Sequence, residues 1–274
     1  MPRGRPKSLP LMSNQQFDEV DTLITASPTK KNECPTCGAK AVEVAPGVTQ
    51  WAPSTYRLNG EEHLCNCEEQ ETLFRHYLLA RIPQEYMTLS LKEYTGDKAA
   101  LKVVKSYLEN WSNMRKHGLS LGFYGEQGTG KTFLATWLAR ELIKAGESVY
   151  YVYFRQVVNT FELPYEARKD VEDRLRDCTV LVLDELTRPI SDAQRALFGE
   201  KFEELIRHRS NYNKVTMITT NLTPDELGKV YPRTYSLLAA KEKPVNVNGG
   251  DKRRESIGML NIELAENGEV RPIT

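Results

Sequence analysis

The stretch Leu119–Thr132, LSLGFYGEQGTGKT, decides the fold of this chain. Its first part, Leu119–Tyr124, is a short apolar run that predicts a buried strand of a parallel sheet. Its second part, Gly125–Thr132, fits the pattern G-x-x-x-x-G-K-[ST] of a phosphate-binding loop. Apolar residues then recur at helical spacing: Phe133, Leu134, Trp137, Leu138 and Leu142. Strand, glycine loop and helix therefore follow one another in the order that the motif requires.

The predicted loop has the chemistry of a nucleotide site. Its glycines let successive backbone N–H groups turn toward phosphate oxygens, and the N-terminus of the following helix adds a partial positive charge. We expect Lys131 to reach the β- and γ-phosphates, and the hydroxyl of Thr132 to bind Mg²⁺. The predicted nucleotide-binding residues are Gly125, Glu126, Gln127, Gly128, Thr129, Gly130, Lys131, Thr132 and Phe133.

A second apolar run, Thr179–Leu186, ends in two acids. Such a run predicts a strand buried on both faces, whose carboxyl end opens onto a site. Asp184 can hold the Mg²⁺ that Thr132 also binds, and Glu185 is placed to orient and deprotonate an attacking water. The alternative is an ordinary buried strand with exposed terminal acids. The run Thr179–Leu186 lies downstream of a phosphate-binding loop, which favours the catalytic interpretation, a Walker B motif.

Further elements are consistent with an α/β fold. Lys214–Thr220 predicts another strand, and Asn221 at its carboxyl end could reach the γ-phosphate or the water. Asp97 is a candidate N-cap for a helix that ends at Gly118. The predicted fold is a parallel sheet with helices on both faces and nucleotide at the carboxyl ends of its strands.

Bulk composition excludes some classes of protein. Lys+Arg and Asp+Glu both number 37 in 274 residues, so net charge gives no evidence for nucleic acid as a partner. The sequence has no apolar run long enough to span a bilayer and no signal-peptide pattern, so we expect a protein of the bacterial cytosol or of a phage-infected cell. Five cysteines in such a chain indicate metal or free thiols rather than disulfides.

Four of the cysteines form two close pairs before the nucleotide site. Cys34 and Cys37, followed by Gly38, have the spacing of a zinc knuckle, whereas Cys65 and Cys67 depart from it as C-x-C. In an extended segment residues i and i+2 point the same way, so all four thiolates could still bind one Zn²⁺. His63 could replace one of them. The alternative is a set of unliganded reduced cysteines.

The first 28 residues are polar and lack sustained periodicity, and we expect a flexible basic tail. Within it, residues 2–7 (PRGRPK) resemble the core of an AT-hook, in which Arg-Gly-Arg lies along a narrow A·T minor groove. A solvated basic tail that contacts only phosphates is the alternative. The predicted division is therefore a tail at 1–28, a zinc-binding module for a partner at 29–80 and an ATPase domain at 81–274.

The order GEQGTGKT, VLVLDE and ITTN is similar to that of the AAA+ ATPases. Ile82–Tyr86 (IPQEY) resembles the I-P-x-x-Y opening of the DnaC/DnaI/IstB branch, and Arg209 resembles an arginine that this branch also has. From the short distance between Asn221 and Thr274 we expect no helical lid domain, as in that branch. A cysteine-rich module ahead of the ATPase resembles helicase loaders of the DnaI type.

The resemblance implies roles for several residues. Asn221 corresponds to sensor 1. Arg233 corresponds to the arginine finger that enters a neighbouring subunit's site, although Tyr231–Thr234 departs from the Tyr-x-Arg-Leu pattern in its last residue. Arg253 or Arg254 resembles a late arginine that acts like a sensor 2, and the sequence does not choose between them.

The resemblance further implies an ATP-dependent loader that assembles head to tail, engages a hexameric replicative helicase and places it on single-stranded DNA. Three arginines are candidates for the DNA contact by position: Arg155, Arg168 and Arg174. One alternative is an IstB-like helper of a DNA transposase, which binds duplex DNA. A second is a nucleotide-dependent switch without hydrolysis, against which the two acids Asp184 and Glu185 argue.

Overall fold

The structure is a computed structural model that describes residues 9, 12–25, 33–45, 48–189, 192–251, 262 and 264–274. The chain divides into two compact units, Met1–Glu93 with Arg253–Thr274, and Tyr94–Lys252. Residues 2–7, Arg253 and Arg254 lie outside the described residues, so the AT-hook-like segment and the choice of late arginine stay predictions. No helix in the described part of the chain is both long enough and apolar enough to cross a bilayer.

The first unit consists of small elements around the cysteine pairs. Its helices and strands are α1 (Asn14–Thr25), β1 (Ala41–Ala45), β2 (Val48–Trp51), β3 (Thr55–Leu58), β4 (Glu61–Leu64), α2 (Cys67–Leu79) and α3 (Gln84–Met87), followed by a 3₁₀ turn at Leu91–Glu93. Strands β1 and β2 form one antiparallel hairpin, and β3 and β4 form another. These two-stranded sheets are too small to be stable alone, which is consistent with a unit that needs a metal.

The second unit contains the parallel sheet. Its elements are α4 (Lys98–Glu109), α5 (Trp111–His117), β5 (Ser120–Tyr124), α6 (Lys131–Lys144), β6 (Val149–Tyr153), α7 (Phe154–Glu162), α8 (Tyr165–Asp177), β7 (Val180–Leu186), α9 (Asp192–Asn211), β8 (Val215–Thr220), α10 (Pro224–Val230), α11 (Pro232–Ala239) and β9 (Glu242–Asn246). The five strands are all parallel and lie in the order β6-β7-β8-β5-β9.

Both faces of this sheet are buried, as the apolar runs predict. Alternate residues of each strand point to opposite faces. On one face, Leu181, Leu183 and Ile218 pack against the apolar sides of α7 and α9, which include Phe154 and Phe202. Helix α6 packs against β5, β6, β7 and β8. The predicted fold class, an α/β domain with a parallel sheet between helices, is confirmed.

The amino-terminal segment differs from the predicted flexible tail, because α1 occupies Asn14–Thr25. Val20 and Ile24 lie one helical turn apart and are buried, and α1 packs against α2. Asp21 also accepts a hydrogen bond from Arg75 at 3.0 Å. Among the α1 side chains that the structure describes, Val20 and Ile24 are the buried apolar ones, and packing against α2 stabilises the helix.

The boundary between the units also differs from the predicted one at residue 80. The first unit continues to Glu93 and includes the C-terminal residues. Gln70 explains why: its side-chain amide donates to Ile273 O at 3.0 Å and accepts from Ile273 N at 2.6 Å. Tyr77 adds a bond from its hydroxyl to Thr274 O at 2.9 Å. These are side-chain contacts over a long sequence separation, which periodicity does not reveal.

The helix predicted from Asp97 to Gly118 begins and ends as expected but is interrupted at Asn110. The side chain of Asp97 accepts from Ala99 N and Ala100 N, and Gly118 ends the helix in the left-handed conformation with φ 62°. At Asn110 the side-chain amide donates to Ser106 O at 2.8 Å. Asparagine competes for backbone groups in this way, so α4 and α5 are separate helices.

Candidate functional site

The phosphate-binding loop joins β5 to α6 at the carboxyl edge of the sheet. Gly125, Gly128 and Gly130 have φ values of 152°, 79° and 97°. A Cβ on Gly125 would lie 2.3 Å from the carbonyl oxygen of Val247, so the close approach of this loop to the segment after β9 requires glycine. Helix α6 begins at Lys131, directly after Gly130. The loop, the helix N-terminus and the lysine are therefore arranged as the motif predicts.

Lys131 lies at the centre of the loop. Its side chain is buried, and Nζ donates to the carbonyl oxygens of Gly125 at 2.9 Å and Glu126 at 2.5 Å. Thr129 Oγ1 donates to Glu126 O at 3.0 Å and fixes the turn. The ammonium group is thus held inside the curve of the loop, where phosphate oxygens bind in sites of this kind.

Asp184 lies opposite the start of α6 and is 1% exposed. Thr132 Oγ1 donates to Asp184 Oδ1 at 3.0 Å, so the two predicted magnesium ligands are brought together. Oxygen ligands of this kind are those that Mg²⁺ prefers. The two residues fit the ion, with the hydroxyl and the carboxylate as its protein contacts.

Two further hydroxyls bind the same carboxylate, and sequence reasoning missed both. Tyr151 on β6 donates to Asp184 Oδ2 at 2.5 Å, and Thr219 on β8 donates to Oδ1 at 2.5 Å. Burial, followed by the nearby charge of Asp184, raises the pKa of Tyr151, which therefore stays a neutral donor. The strand order could have indicated Tyr151 and Thr219, because β6 and β8 flank β7 in the sheet.

Glu185 is exposed, whereas its neighbours Asp184 and Leu186 are buried. Its backbone is left-handed, with φ 59°, and the pairing of β7 with β8 shifts register between Leu183 and Leu186. This irregularity turns the Glu185 side chain out of the sheet at the carboxyl end of β7. Glu185 therefore presents an exposed carboxylate at the carboxyl edge of the sheet.

Three other predicted residues follow β5 or β8 in the chain. Asn221 follows β8 and is exposed at the carboxyl edge of the sheet. Phe133 lies in the first turn of α6, and its ring is 5.1 Å from that of Tyr94. The side chain of Arg233 on α11 is 78% exposed, and its Nη1 is 3.8 Å from Glu203 Oε2. An exposed arginine is accessible to another copy of the chain.

The cysteine pairs come together as the sequence predicts. The Sγ atoms of Cys34, Cys37, Cys65 and Cys67 all lie within 4.8 Å of one another, with Cys34 to Cys65 at 3.7 Å and Cys37 to Cys67 at 3.4 Å. Tetrahedral Zn²⁺ with Zn–S bonds of about 2.3 Å holds sulfurs about 3.8 Å apart. The four thiols therefore fit zinc.

The local backbone differs from the extended segment expected for the second pair. Cys65 follows β4, and Cys67 is the first residue of α2, so the pair spans a strand-to-helix turn. His63 stacks on Tyr56 with ring centroids 5.4 Å apart, and the described cluster consists of the four cysteines. Burial raises the pKa values of Cys65 and Cys67. A cation is what would offset this cost of ionisation.

Of the three candidate DNA-binding arginines, Arg155 is exposed on α7, and two have contacts within the protein. Arg168 donates to Leu163 O at 2.9 Å and to Glu172 at 3.0 Å. Arg174 lies 5.0 Å from the centre of the Tyr150 ring. Arg209 is fully buried, and its guanidinium donates to backbone carbonyls that include those of Leu175, Cys178 and Val215. It therefore stabilises the fold rather than contacting nucleotide.

The family profile described as IstB-like ATP binding protein matches residues 62–240. The chain belongs to this family. The IstB-like chain accordingly contains an ATP-binding domain with a phosphate-binding loop. Among solved structures, it is similar to the crystal structure of the DnaI with a TM-score of 0.53 at 22% identity, covering 63% of this chain and 94% of that one.

Similar proteins include relatives from Bacillus subtilis (strain 168). This IstB-like chain is 26% identical over 174 residues to the uncharacterized protein YqaM, covering 60% of the chain and 55% of YqaM. It is 26% identical over 147 residues to the replicative helicase loader DnaI, covering 53% of the chain and 46% of DnaI. The chain thus spans about half the length of these two relatives.

Proposed function

We propose that this ATPase loads a hexameric replicative helicase onto single-stranded DNA in the cytoplasm. The similarity to the replicative helicase loader DnaI carries the proposal. The cysteine cluster supports it, because a small unit that Zn²⁺ would hold together lies ahead of the ATPase unit in the sequence and would offer a surface for the helicase. Zn²⁺ would be held by Cys34, Cys37, Cys65 and Cys67 and would supply only stability.

The described site supports hydrolysis at a subunit interface. Lys131 and the loop amides would bind the phosphates. Thr132 and Asp184 would hold Mg²⁺, which would neutralise charge on the phosphates. Glu185 would take a proton from the attacking water, while Asn221 contacts the water or the γ-phosphate. Arg233 of a neighbouring copy would stabilise the charge that develops on the transferred phosphoryl group.

The first test is co-elution with the host's hexameric replicative helicase, with and without ATP, by size exclusion with mass measurement. We expect a stable complex that is lost in the double variant Cys34→Ser, Cys37→Ser, while the ATPase unit of that variant still binds ATP. The matched control is Cys178→Ser, since Cys178 lies outside the cluster. Failure of the wild-type chain to bind the helicase in both nucleotide states contradicts the proposal.

The interface role of Arg233 has a separate test. Glu185→Gln and Arg233→Ala are each expected to lower ATP turnover by about a hundredfold. Mixing the two inactive variants should restore part of the activity, because some interfaces then combine an intact Glu185 with an intact Arg233. No recovery in mixtures that assemble normally would show that Arg233 does not act on a neighbour.

The second candidate function is that of an ATPase helper of a DNA transposase. The match to the IstB-like family and the basic sequence of residues 2–7 favour it. It predicts ATP-dependent assembly on duplex DNA without helicase binding. Assembly on duplex rather than single-stranded DNA in the same size-exclusion experiment would support this alternative over the loader. In either function Arg155 is the exposed candidate for a phosphate contact.

A further inference from the structure

The hydroxyl of Thr219 contacts both acids of the ATPase site at once. Thr219 lies on β8, two residues before Asn221, and is 1% exposed. Its Oγ1 donates to Asp184 Oδ1 at 2.5 Å and accepts the backbone N–H of Glu185 at 2.9 Å. One side chain therefore joins the magnesium-binding acid to the backbone of the acid that faces water.

The position of this bond explains the backbone of Glu185. Strands β7 and β8 pair in register up to Leu183 and Ile218, and pairing resumes only at Leu186 and Thr220. Between them the Glu185 N–H bonds to a side chain instead of a strand carbonyl. A left-handed conformation is unfavourable for a residue with a side chain, so it needs a specific bond to persist.

The direction of the hydrogen bonds is fixed. A threonine hydroxyl has one proton, and because it accepts from Glu185 N–H, that proton goes to Asp184. Thr132 and Tyr151 also donate to Asp184, so three hydroxyls are all donors to this carboxylate. Such bonds to a carboxylate are short and strong, and they leave Asp184 a single orientation.

We propose that Thr219 is a positioning residue for ATP hydrolysis. It holds the Glu185 backbone in the conformation that presents this side chain to water, and it holds Asp184 toward the start of α6. It touches neither nucleotide nor water and acts through the two acids. The consequence is an effect on turnover that is separate from nucleotide binding, because both hydrogen bonds of the Thr219 hydroxyl go to the two acids.

The test compares three variants at position 219. Thr219→Val keeps the shape of the side chain without its hydroxyl, and we expect kcat to fall by about tenfold to a hundredfold. The KM for ATP should stay within about twofold, since loss of orientation in the transition state lowers kcat alone. Thr219→Ser restores the hydroxyl and should recover kcat to within about threefold of wild type. Thr219→Ala differs from Thr219→Ser by one oxygen. If the valine variant does not fold, the comparison of the alanine and serine variants replaces it.

Thr220 provides the matched control. It is on the same strand, is equally buried, and its hydroxyl donates to Leu186 O at 2.7 Å and accepts from Leu222 N at 3.0 Å. Thr220→Val therefore removes a comparable bridging bond that does not involve the acids. We expect it to lower the melting temperature about as much as Thr219→Val does, but to leave kcat within about twofold of wild type.

Coupling to Glu185 completes the test. Because part of the effect of Thr219 is exerted through Glu185, Thr219→Val should lower the single-turnover rate by a smaller factor in the Glu185→Gln background than in the wild type. Three results would each overturn the proposal: wild-type kcat in Thr219→Val, a serine variant no more active than the alanine variant, or an equal loss of kcat in Thr220→Val. Binding of a fluorescent ATP analogue is measured in parallel, so that a lost site is distinguished from a slow one.

Discussion

At the scale of single residues, Arg209 shows how a buried charge can stabilise this fold without taking part in its chemistry. Its Nη1 donates to Leu175 O at 2.7 Å and Cys178 O at 3.1 Å, and Nη2 donates to Val215 O at 2.5 Å. Burial lowers the pKa of Arg209, yet the planar guanidinium still satisfies carbonyls at the end of α8 and at the start of β8. Lysine cannot reproduce this fork of donors.

We expect Arg209→Lys to lower the free energy of unfolding by about 3 kcal/mol, because it leaves several buried carbonyls without donors. Urea unfolding of the isolated protein measures this change. Arg207→Lys is the matched control: it lies on the same helix, is 54% exposed and pairs with Glu203 at 2.6 Å. An exposed pair contributes about 0.5 kcal/mol or less. Equal effects at the two positions would contradict the structural role of Arg209.

The residues that the sequence predicts are those whose type and spacing define a motif. Lys131, Thr132 and Asp184 are close together as expected, because the strand order places their loops at one edge. Tyr151 and Thr219 were missed, since a tyrosine or threonine in a β-rich segment usually indicates only strand propensity. Their role depends on which strands flank β7, and that order is a property of the folded sheet.

At the scale of elements, the N-cap of α4 links this helix to the loop that follows β9. Asp97 Oδ1 accepts from Ala99 N at 2.8 Å and Ala100 N at 3.1 Å, and Oδ2 accepts from Asn248 N at 3.0 Å. The bond from the Asn248 backbone, together with the helix N–H groups, lowers the pKa of Asp97. One carboxylate thus fixes both a helix start and a loop beside the phosphate site.

We expect Asp97→Ala to lower the free energy of unfolding by about 1 kcal/mol at neutral pH, as for other helix caps. Because the folded pKa is below the unfolded value, the contribution is present above the unfolded pKa and is lost as pH falls through the folded pKa. The difference between wild type and Asp97→Ala should therefore shrink below about pH 4. Denaturation at a series of pH values measures it, and a difference that does not change with pH would argue against ionised Asp97 as the cap.

Elements with their own sequence pattern were predicted, and elements held by their neighbours were not. Strands β5, β7 and β8 are continuous apolar runs that can only be buried. Strand β9, Glu242–Asn246, is a mixed polar segment with Pro244 and was missed, because as an edge strand it takes its conformation from pairing with β5. The helix α1 was missed for the same physical reason, since it depends on packing against α2.

At the scale of the whole molecule, the cysteine cluster is connected to the last residues of the chain. Thr36, between Cys34 and Cys37, donates to Gln70 Oε1 at 2.6 Å, and the same amide group binds the backbone of Ile273. Glu269 accepts from Asn59 N at 3.0 Å and from Gly60 N at 2.7 Å, at the turn between β3 and β4. The segment from Glu269 to Thr274 is therefore held by the small unit that the metal would organise.

This connection predicts that removing Zn²⁺ releases the C-terminal segment, because a unit with so small an apolar core depends on its metal. Hydrogen exchange followed by mass spectrometry should show faster exchange of residues 269–274 after chelation, with no change in β5 of the ATPase unit.

Gln70→Met should release the same residues while metal analysis still finds one zinc per chain, and Glu68→Ala, at an exposed position of α2, should change neither. Full protection of residues 269–274 in the metal-free protein would mean that apolar packing at Ile273 holds the segment without the cluster. If residues 269–274 lose protection as expected, Gln70 couples metal binding to the order of these residues. Among the described residues, it alone forms hydrogen bonds with both Thr36 and Ile273.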